Sequence, residues 1–166
     1  MLHTLMTKID KIVAFDQVKA HCDIPCGIYD PITAQVSALT VIRMEDLIAE
    51  TAAKTDLPLA DHARLGRLIS EKETHAIKVK EEIRIIWGDY FKGPQLEKFP
   101  QTHELVHKIM MQASKAKQHN DRAMCVELLK LVNEFASIFW QTKNVETFTA
   151  KCPYPPSEDV VYPKLT

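Results

Sequence analysis

The residues best suited to chemistry lie in one short run, HCDIPCGIYDP, at residues 21–31. It places two thiols four positions apart, at Cys22 and Cys26, with the imidazole of His21 directly before the first. Pro25 fixes one backbone angle and Gly27 permits a sharp turn, so the run suits a small stiff loop with both sulfurs facing inward. Because thiolates bind metals and act as redox nucleophiles, the run indicates one of these two kinds of chemistry.

Three interpretations compete on this local pattern alone. The cysteines are incidental, they form a reversible Cys22–Cys26 disulfide, or they are half of a zinc site. The zinc interpretation is weakened because a closed structural site needs four ligands, and the sequence contains no second paired cluster of Cys and His. Cys125 and Cys152 are too far from this pair in sequence to suggest a small disulfide-stapled fold.

A second pattern, H-E-x-x-H, occurs at residues 103–107 on a predicted helix. It is typical of zinc proteases, in which two His residues on one helix face bind the metal and the Glu acts as base. No glycine-rich continuation of the metzincin type follows it. We therefore interpret this match as a coincidence.

The elements that position the first run are predicted to be helices. Asp30 and Pro31 suit a helix start, because Asp caps helix N-termini and Pro fits the first turn. Apolar residues at helical spacing predict helices over residues 31–53, 59–87, 101–117 and 122–142, with a loop over residues 88–100. No stretch alternates well enough to predict a strand, and the proline-rich tail from Lys151 is expected to be extended or disordered. Four helices with short connections predict an all-α fold, an antiparallel four-helix bundle.

Composition and charge narrow the classes of function. The chain has 166 residues, of which 46% are hydrophobic and 26% charged, and this suits one globular domain. The formal net charge is -1, which gives no support to a nucleic-acid-binding surface. No apolar run reaches the roughly 18–20 residues of a membrane span, and charges interrupt the apolar centre of residues 1–20, unlike a secretory signal. We therefore expect a cytoplasmic protein with no nucleic-acid or membrane partner.

The run HCDIPCGIYDP, hereafter the hook, resembles the signature H-C-x-x-P-C-G-x-Y-D-P of the nickel-containing superoxide dismutases, a bacterial family of helical-bundle subunits. Every fixed position of that signature is met. Residues 87–92, WGDYFK, resemble the W-x-D-Y-F-K segment of the family, and Phe139-Trp140 also fits, so the resemblance covers about residues 21–143. It implies an enzyme that converts two superoxide anions into dioxygen and hydrogen peroxide by cycling between Ni(II) and Ni(III). The alternative from a different class is a helical interaction or redox-sensor module that uses a Cys22–Cys26 disulfide.

The resemblance implies His21, Cys22 and Cys26 as ligands of one nickel ion per subunit. If His21 carries a free amine, this amine and the Cys22 amide nitrogen close a five-membered chelate ring, and the Cys22 thiolate closes a second. Cys26 adds another thiolate. The resulting planar N2S2 set suits Ni(II) or Cu(II) better than zinc, and the His21 imidazole can reach the metal axially.

The free amine requires that the hook be the mature N-terminus. Residues 1–20 are therefore expected to be a leader that a processing protease removes after Ala20. Residues 21–150 then form the nickel hook and the bundle, and residues 151–166 form a proline-rich tail. The family also implies a homohexamer with the hooks near subunit contacts.

Two tyrosines are predicted to lie beside the metal. In the family, tyrosines at the positions of Tyr29 and Tyr90 flank its open face, limit access and order water or peroxide. Lys92 is a candidate to attract the superoxide anion. Many members hold the axial imidazole with an acidic residue and an Arg, which Ser37 and His75 replace in this sequence, and His75 is a candidate substitute.

Overall fold

The computed structural model describes residues 26–165. His21, Cys22 and the predicted leader of residues 1–20 lie outside the described residues. The described part of the chain is mostly helical, as the sequence predicts, and it ends in a hairpin of two strands. No helix within it is long and apolar enough to cross a membrane.

The first helix, α1 (Ile32–Ala52), begins where the sequence predicts. The Asp30 carboxylate accepts a hydrogen bond from the Ile32 N–H at 2.8 Å, which satisfies one of the unpaired amides of the first turn. The inner side of α1 carries small and branched apolar residues, namely Ala34, Ala38, Leu39, Val41, Ile42 and Ile48. The hook is therefore followed directly by a helix that is fixed in the core.

The second helix, α2 (Leu59–Ile85), continues into a wide π-helical turn (Ile86–Tyr90), and a short helix, α3 (Gly93–Lys98), follows. The predicted loop over residues 88–100 is therefore wrong for most of its length. In the wide turn, the Phe91 N–H donates to the Ile86 carbonyl at 3.3 Å, and the Lys92 ammonium donates to the Gly88 carbonyl at 3.0 Å. Gly88 suggested that the helix ends here, but Phe91 is only 3% exposed, and its burial stabilises the helical turn across Gly88.

Two more long helices, α4 (Thr102–Gln118) and α5 (Arg122–Thr142), agree closely with the sequence prediction. The Asp121 carboxylate caps α5 by accepting a hydrogen bond from the Ala123 N–H at 2.8 Å. α1 packs on α2 and α5, and α4 also packs on α2 and α5. The centre of this packing contains the fully buried residues Ile42, Val79, Ile83, Ile109, Leu128, Val132, Phe135 and Phe139.

A hairpin forms the C-terminal part, where the sequence predicts no strand, and that prediction is wrong. β1 (Thr147–Lys151) pairs antiparallel with β2 (Asp159–Pro163), with Thr147 opposite Pro163 and Lys151 opposite Asp159. Three of the tail prolines lie between the two strands, and Pro163 lies at the end of β2, so none interrupts the ladder. The predicted boundary between residues 150 and 151 falls inside β1. Residues 147–163 are thus one structural unit, and the expectation of an extended or disordered tail is wrong for it.

Candidate metal centre

The described half of the hook begins at Cys26, which is exposed. Gly27 follows in a left-handed conformation with φ of 69°, which L-residues with a side chain rarely adopt. Within residues 26–165, no group of three or more His, Cys, Asp or Glu side chains could hold a metal ion. The other two predicted ligands, His21 and Cys22, lie before Cys26 in the chain.

The structure brings the two predicted site tyrosines together. The rings of Tyr29 and Tyr90 lie 5.7 Å apart between centroids, at an interplanar angle of 49°. The Tyr90 ring also packs against Phe91 and Phe139, at 5.3 Å and 4.9 Å between centroids. Tilted and edge-to-face ring contacts fix ring positions. Tyr29, at the base of the hook (residues 29–31), therefore rests on Tyr90 of the wide turn, and Tyr90 in turn packs on Phe139 of α5.

The Tyr90 hydroxyl has a defined direction. It lies 2.6 Å from Thr142 Oγ1, and the Thr142 hydroxyl donates to the Phe139 carbonyl at 2.6 Å. A threonine hydroxyl carries one proton, and here it goes to the carbonyl, so the hydrogen bond between Tyr90 and Thr142 is donated by Tyr90. Thr142 is a residue that sequence reasoning missed, because nothing in the pattern shows that the last turn of α5 meets the wide turn.

Positive charge lies close to Tyr90. The Lys143 ammonium is 4.7 Å from the centroid of the Tyr90 ring and 5.2 Å from that of Phe139, which is cation–π geometry. Sequence reasoning also missed Lys143, although it lies only three residues after Trp140 of the Phe139-Trp140 pair that fits the family. Lys92, which the sequence singled out, is anchored to the Gly88 carbonyl. Its predicted attraction of superoxide stays a prediction.

Ser37 and His75 line one cavity of about 220 Å³, on the facing sides of α1 and α2. The Ser37 hydroxyl donates to the Thr33 carbonyl at 2.7 Å. His75 Nδ1 lies 2.9 Å from the Glu71 carbonyl oxygen, which can only accept, so Nδ1 carries the proton of this bond. In the neutral ring His75 Nε2 is then a hydrogen-bond acceptor, as an orienting partner for another imidazole N–H requires.

Two residues of the H-E-x-x-H pattern, His103 and Glu104, have other partners. Trp87 Nε1 donates to His103 Nδ1 at 3.0 Å. The Lys108 ammonium lies 2.7 Å from the Glu104 carboxylate, and this hydrogen bond together with the charge of Lys108 lowers the pKa of Glu104. A carboxylate with a lowered pKa is a weaker base, which agrees with reading the pattern as a coincidence.

The two remaining cysteines are buried away from the hook. Cys125 lies inside α5, where burial, followed by the nearby Glu45 carboxylate, raises the pKa of its thiol to about 11. The sequence predicted it as a small core residue, and its burial agrees. Cys152 is 2% exposed, and its thiol donates to the Tyr154 carbonyl at 3.2 Å.

Comparison with known proteins decides the family. The family model for nickel-containing superoxide dismutase matches residues 16–143. The nickel superoxide dismutase of Streptomyces seoulensis is 36% identical over 127 residues, which are 76% of this chain and 91% of that one. The enzyme of Streptomyces coelicolor is 37% identical over 126 residues, 76% of this chain and 90% of its own. The chain belongs to the nickel-containing superoxide dismutases. This confirms the resemblance, the reaction and nickel as the cofactor, and it does not favour the disulfide-sensor alternative.

Solved structures of the family agree with this fold. A native nickel superoxide dismutase superposes with a TM-score of 0.65 at 33% identity, covering 74% of this chain and 99% of the solved one. An apo structure gives a TM-score of 0.62 at 31% identity, covering 70% and 98% of the two chains. The family match ends at residue 143, so the hairpin lies beyond it.

Proposed function

We propose that the enzyme carries out superoxide dismutation at one nickel ion bound by His21, Cys22 and Cys26, with Tyr29 and Tyr90 beside its open face. The contact between the two tyrosines carries this proposal. It ties the base of the hook to a second segment with a family-like motif, WGDYFK, at 5.7 Å between rings. A second observation supports Cys26 as a nickel ligand: it is exposed and lies next to the sharp turn at Gly27, so its thiolate is accessible to an ion.

The donor set fits nickel. An amine, an amide nitrogen and two thiolates make the tetragonal nitrogen and sulfur environment that Ni(II) accepts. Bound nickel supplies the one-electron oxidation and reduction of superoxide. Cys22, through its amide nitrogen and thiolate, and Cys26, through its thiolate, would hold the ion together with the amine and the imidazole of His21.

The surrounding residues of the chain shape access and orientation. Tyr29 and Tyr90 restrict what reaches the open face, and Thr142 holds the Tyr90 hydroxyl in one direction. Lys92 and Lys143 add positive charge that raises the encounter rate of an anionic substrate. The acceptor nitrogen of His75 takes the place of the missing acidic residue and orients the His21 imidazole.

The test uses protein processed to begin at His21 and loaded with nickel. We expect one nickel per chain by elemental analysis and rapid superoxide decay in a stopped-flow assay. Cys26→Ser is expected to lose both, whereas the matched variant Cys125→Ala, which removes a thiol from the core, keeps both. Processed protein without nickel uptake, or nickel-loaded protein without dismutase activity, contradicts the proposal. A Cys26→Ser variant that matches the parent removes Cys26 from the ligand set.

We also propose that residues 1–20 are a leader and that a processing protease cuts after Ala20. With Ala20 attached, the His21 nitrogen is an amide, which is a far poorer ligand than an amine. The precursor is therefore expected to bind nickel weakly and to lack activity, and cleavage restores both. Full activity of an uncut, nickel-loaded precursor contradicts this proposal.

Finally, we propose that the four long helices form an antiparallel four-helix bundle with the hook at its N-terminal end, followed by the C-terminal hairpin. Six such subunits assemble with their hooks near the contacts, in the cytoplasm, without nucleic-acid or membrane partners. The net charge of -1 supports the absence of a nucleic-acid partner. Light scattering of the processed, nickel-loaded protein is expected to give six times the chain mass, and a monomer contradicts the assembly.

A further inference from the structure

A buried polar contact joins the first turn of α1 to the C-terminal hairpin. The Gln35 side chain is 2% exposed, and its Nε2 donates to Asn133 Oδ1 on α5 at 3.0 Å. The same Nε2 donates to the carbonyl of Val161 in β2 at 2.8 Å. Gln35 therefore holds three elements at one point: α1, α5 and the hairpin.

Asn133 completes this contact from α5. Its Nδ2 donates to the Asp159 carbonyl at 2.8 Å, and its Oδ1 accepts from the Val161 N–H at 3.2 Å. One amide thus supplies a donor and an acceptor to the backbone of β2, as a neighbouring strand would. Because unpaired strand edges must be satisfied, the outer edge of β2 is fixed on α5 by these bonds.

Gln35, whose side chain is bound by the hairpin, also forms the first backbone hydrogen bond of α1 after the hook. The Gln35 N–H donates to the Pro31 carbonyl at 3.1 Å. The base of the hook is consequently held on two sides, with Tyr29 against Tyr90 and Gln35 against β2. The first contact lies within the family match of residues 16–143, and the second depends on a hairpin outside it.

We propose that the C-terminal hairpin is a clamp on the base of the hook and that Gln35 and Asn133 are positioning residues for the metal site. The role at the metal rests on the proposed nickel hook. By holding the first turn of α1, the clamp reduces the freedom of the segment that carries Cys26. Its removal is expected to leave the fold intact and to loosen the hook.

The first measurement uses the full chain and needs no metal. Gln35→Met removes both side-chain bonds at similar volume, and amide hydrogen exchange is followed in a peptide that covers residues 27–36. Two neutral hydrogen bonds of about 1 kcal/mol each correspond to exchange about tenfold to thirtyfold faster in this peptide. The matched control is Gln112→Met, because Gln112 Nε2 also donates to a backbone carbonyl, that of Met124, at 2.8 Å. The control is expected to leave exchange in residues 27–36 unchanged.

The second measurement is nickel release from processed protein into a chelator. Gln35→Met is expected to release nickel about threefold to tenfold faster than the parent and than Gln112→Met, since part of the lost bond energy reaches the hook. If Gln35→Met does not fold, Asn133→Leu breaks the same contact from α5. Unchanged exchange in residues 27–36, or unchanged nickel release, overturns the clamp. A parent protein that binds no nickel overturns the proposed metal site instead, and the exchange experiment still decides whether the hairpin holds the first turn of α1.

Discussion

Replacing Lys72 with methionine is expected to destabilise the fold by about 3–5 kcal/mol. The Lys72 side chain is 1% exposed and that of Glu45 is 6% exposed, with 2.7 Å between the ammonium and the carboxylate. The ammonium also donates to the His119 carbonyl at 2.9 Å and to Asn120 Oδ1 at 2.7 Å, so all three of its protons are used. Methionine fills the same space but leaves a buried carboxylate without a cation and two acceptors without a donor.

The assay is urea unfolding at neutral pH, followed by circular dichroism. A loss of this size is a large part of the about 5–15 kcal/mol that stabilises an ordinary domain, and it lowers the midpoint by about 2 M urea. The double variant Lys72→Met/Glu45→Leu removes both charges and is expected to recover at least half of the loss. The control Lys108→Met breaks the exposed pair with Glu104 and leaves the midpoint unchanged. A loss below about 1 kcal/mol for Lys72→Met would refute the reasoning that this charge is held only by its three partners.

Three further predictions concern the site and the thiols. Thr142→Val removes the acceptor of the Tyr90 proton, and we expect about fivefold lower dismutase activity at unchanged nickel content, whereas Thr142→Ser keeps the activity; equal activities of the two variants would show that the hydroxyl direction is irrelevant. At pH 8, iodoacetamide is expected to modify Cys26 in metal-free protein and to spare Cys125, whose thiol has a pKa raised to about 11; peptide mass spectrometry measures both. The folded protein keeps the Cys125 thiol protonated up to about pH 11, whereas the unfolded chain loses this proton from about pH 9. The parent is therefore expected to lose stability relative to Cys125→Ala as the pH rises from 9 to 11, and urea unfolding of both proteins across this range measures the difference.

Strong local signals explain which parts of the fold the sequence predicts. The ends of α5 follow from the cap at Asp121 and from an apolar stripe at helical spacing, and the structure places them where predicted. The end of α2 does not follow, because Gly88 reads as a break whereas the burial of Phe91 keeps the chain helical through Tyr90. Local pattern therefore determines the ends of α5, whereas a tertiary contact determines the end of α2.

The contacts around the site cannot be predicted from local sequence patterns. Tyr29 and Tyr90 are predictable only through the family resemblance, since nothing in their local patterns pairs them. The bond between Gln35 and Asn133 joins residues 98 positions apart, and polar side chains carry no periodic signal of their partners. The hairpin was missed because prolines in its turn look like irregular chain when the pairing of its strands is unknown.

The π-helical turn at Ile86–Tyr90 makes chain length itself a determinant of where the Tyr90 side chain points. Each residue of an α-helix advances the chain by about 100°, so deleting one residue from the last regular turn of α2, just before the wide turn, would rotate the wide turn and its side chains by that angle. Tyr90 would then turn away from both Tyr29 and Thr142, although neither partner had been altered. Insertions and deletions at this joint are therefore far less tolerable to the enzyme than substitutions of the exposed residues within it.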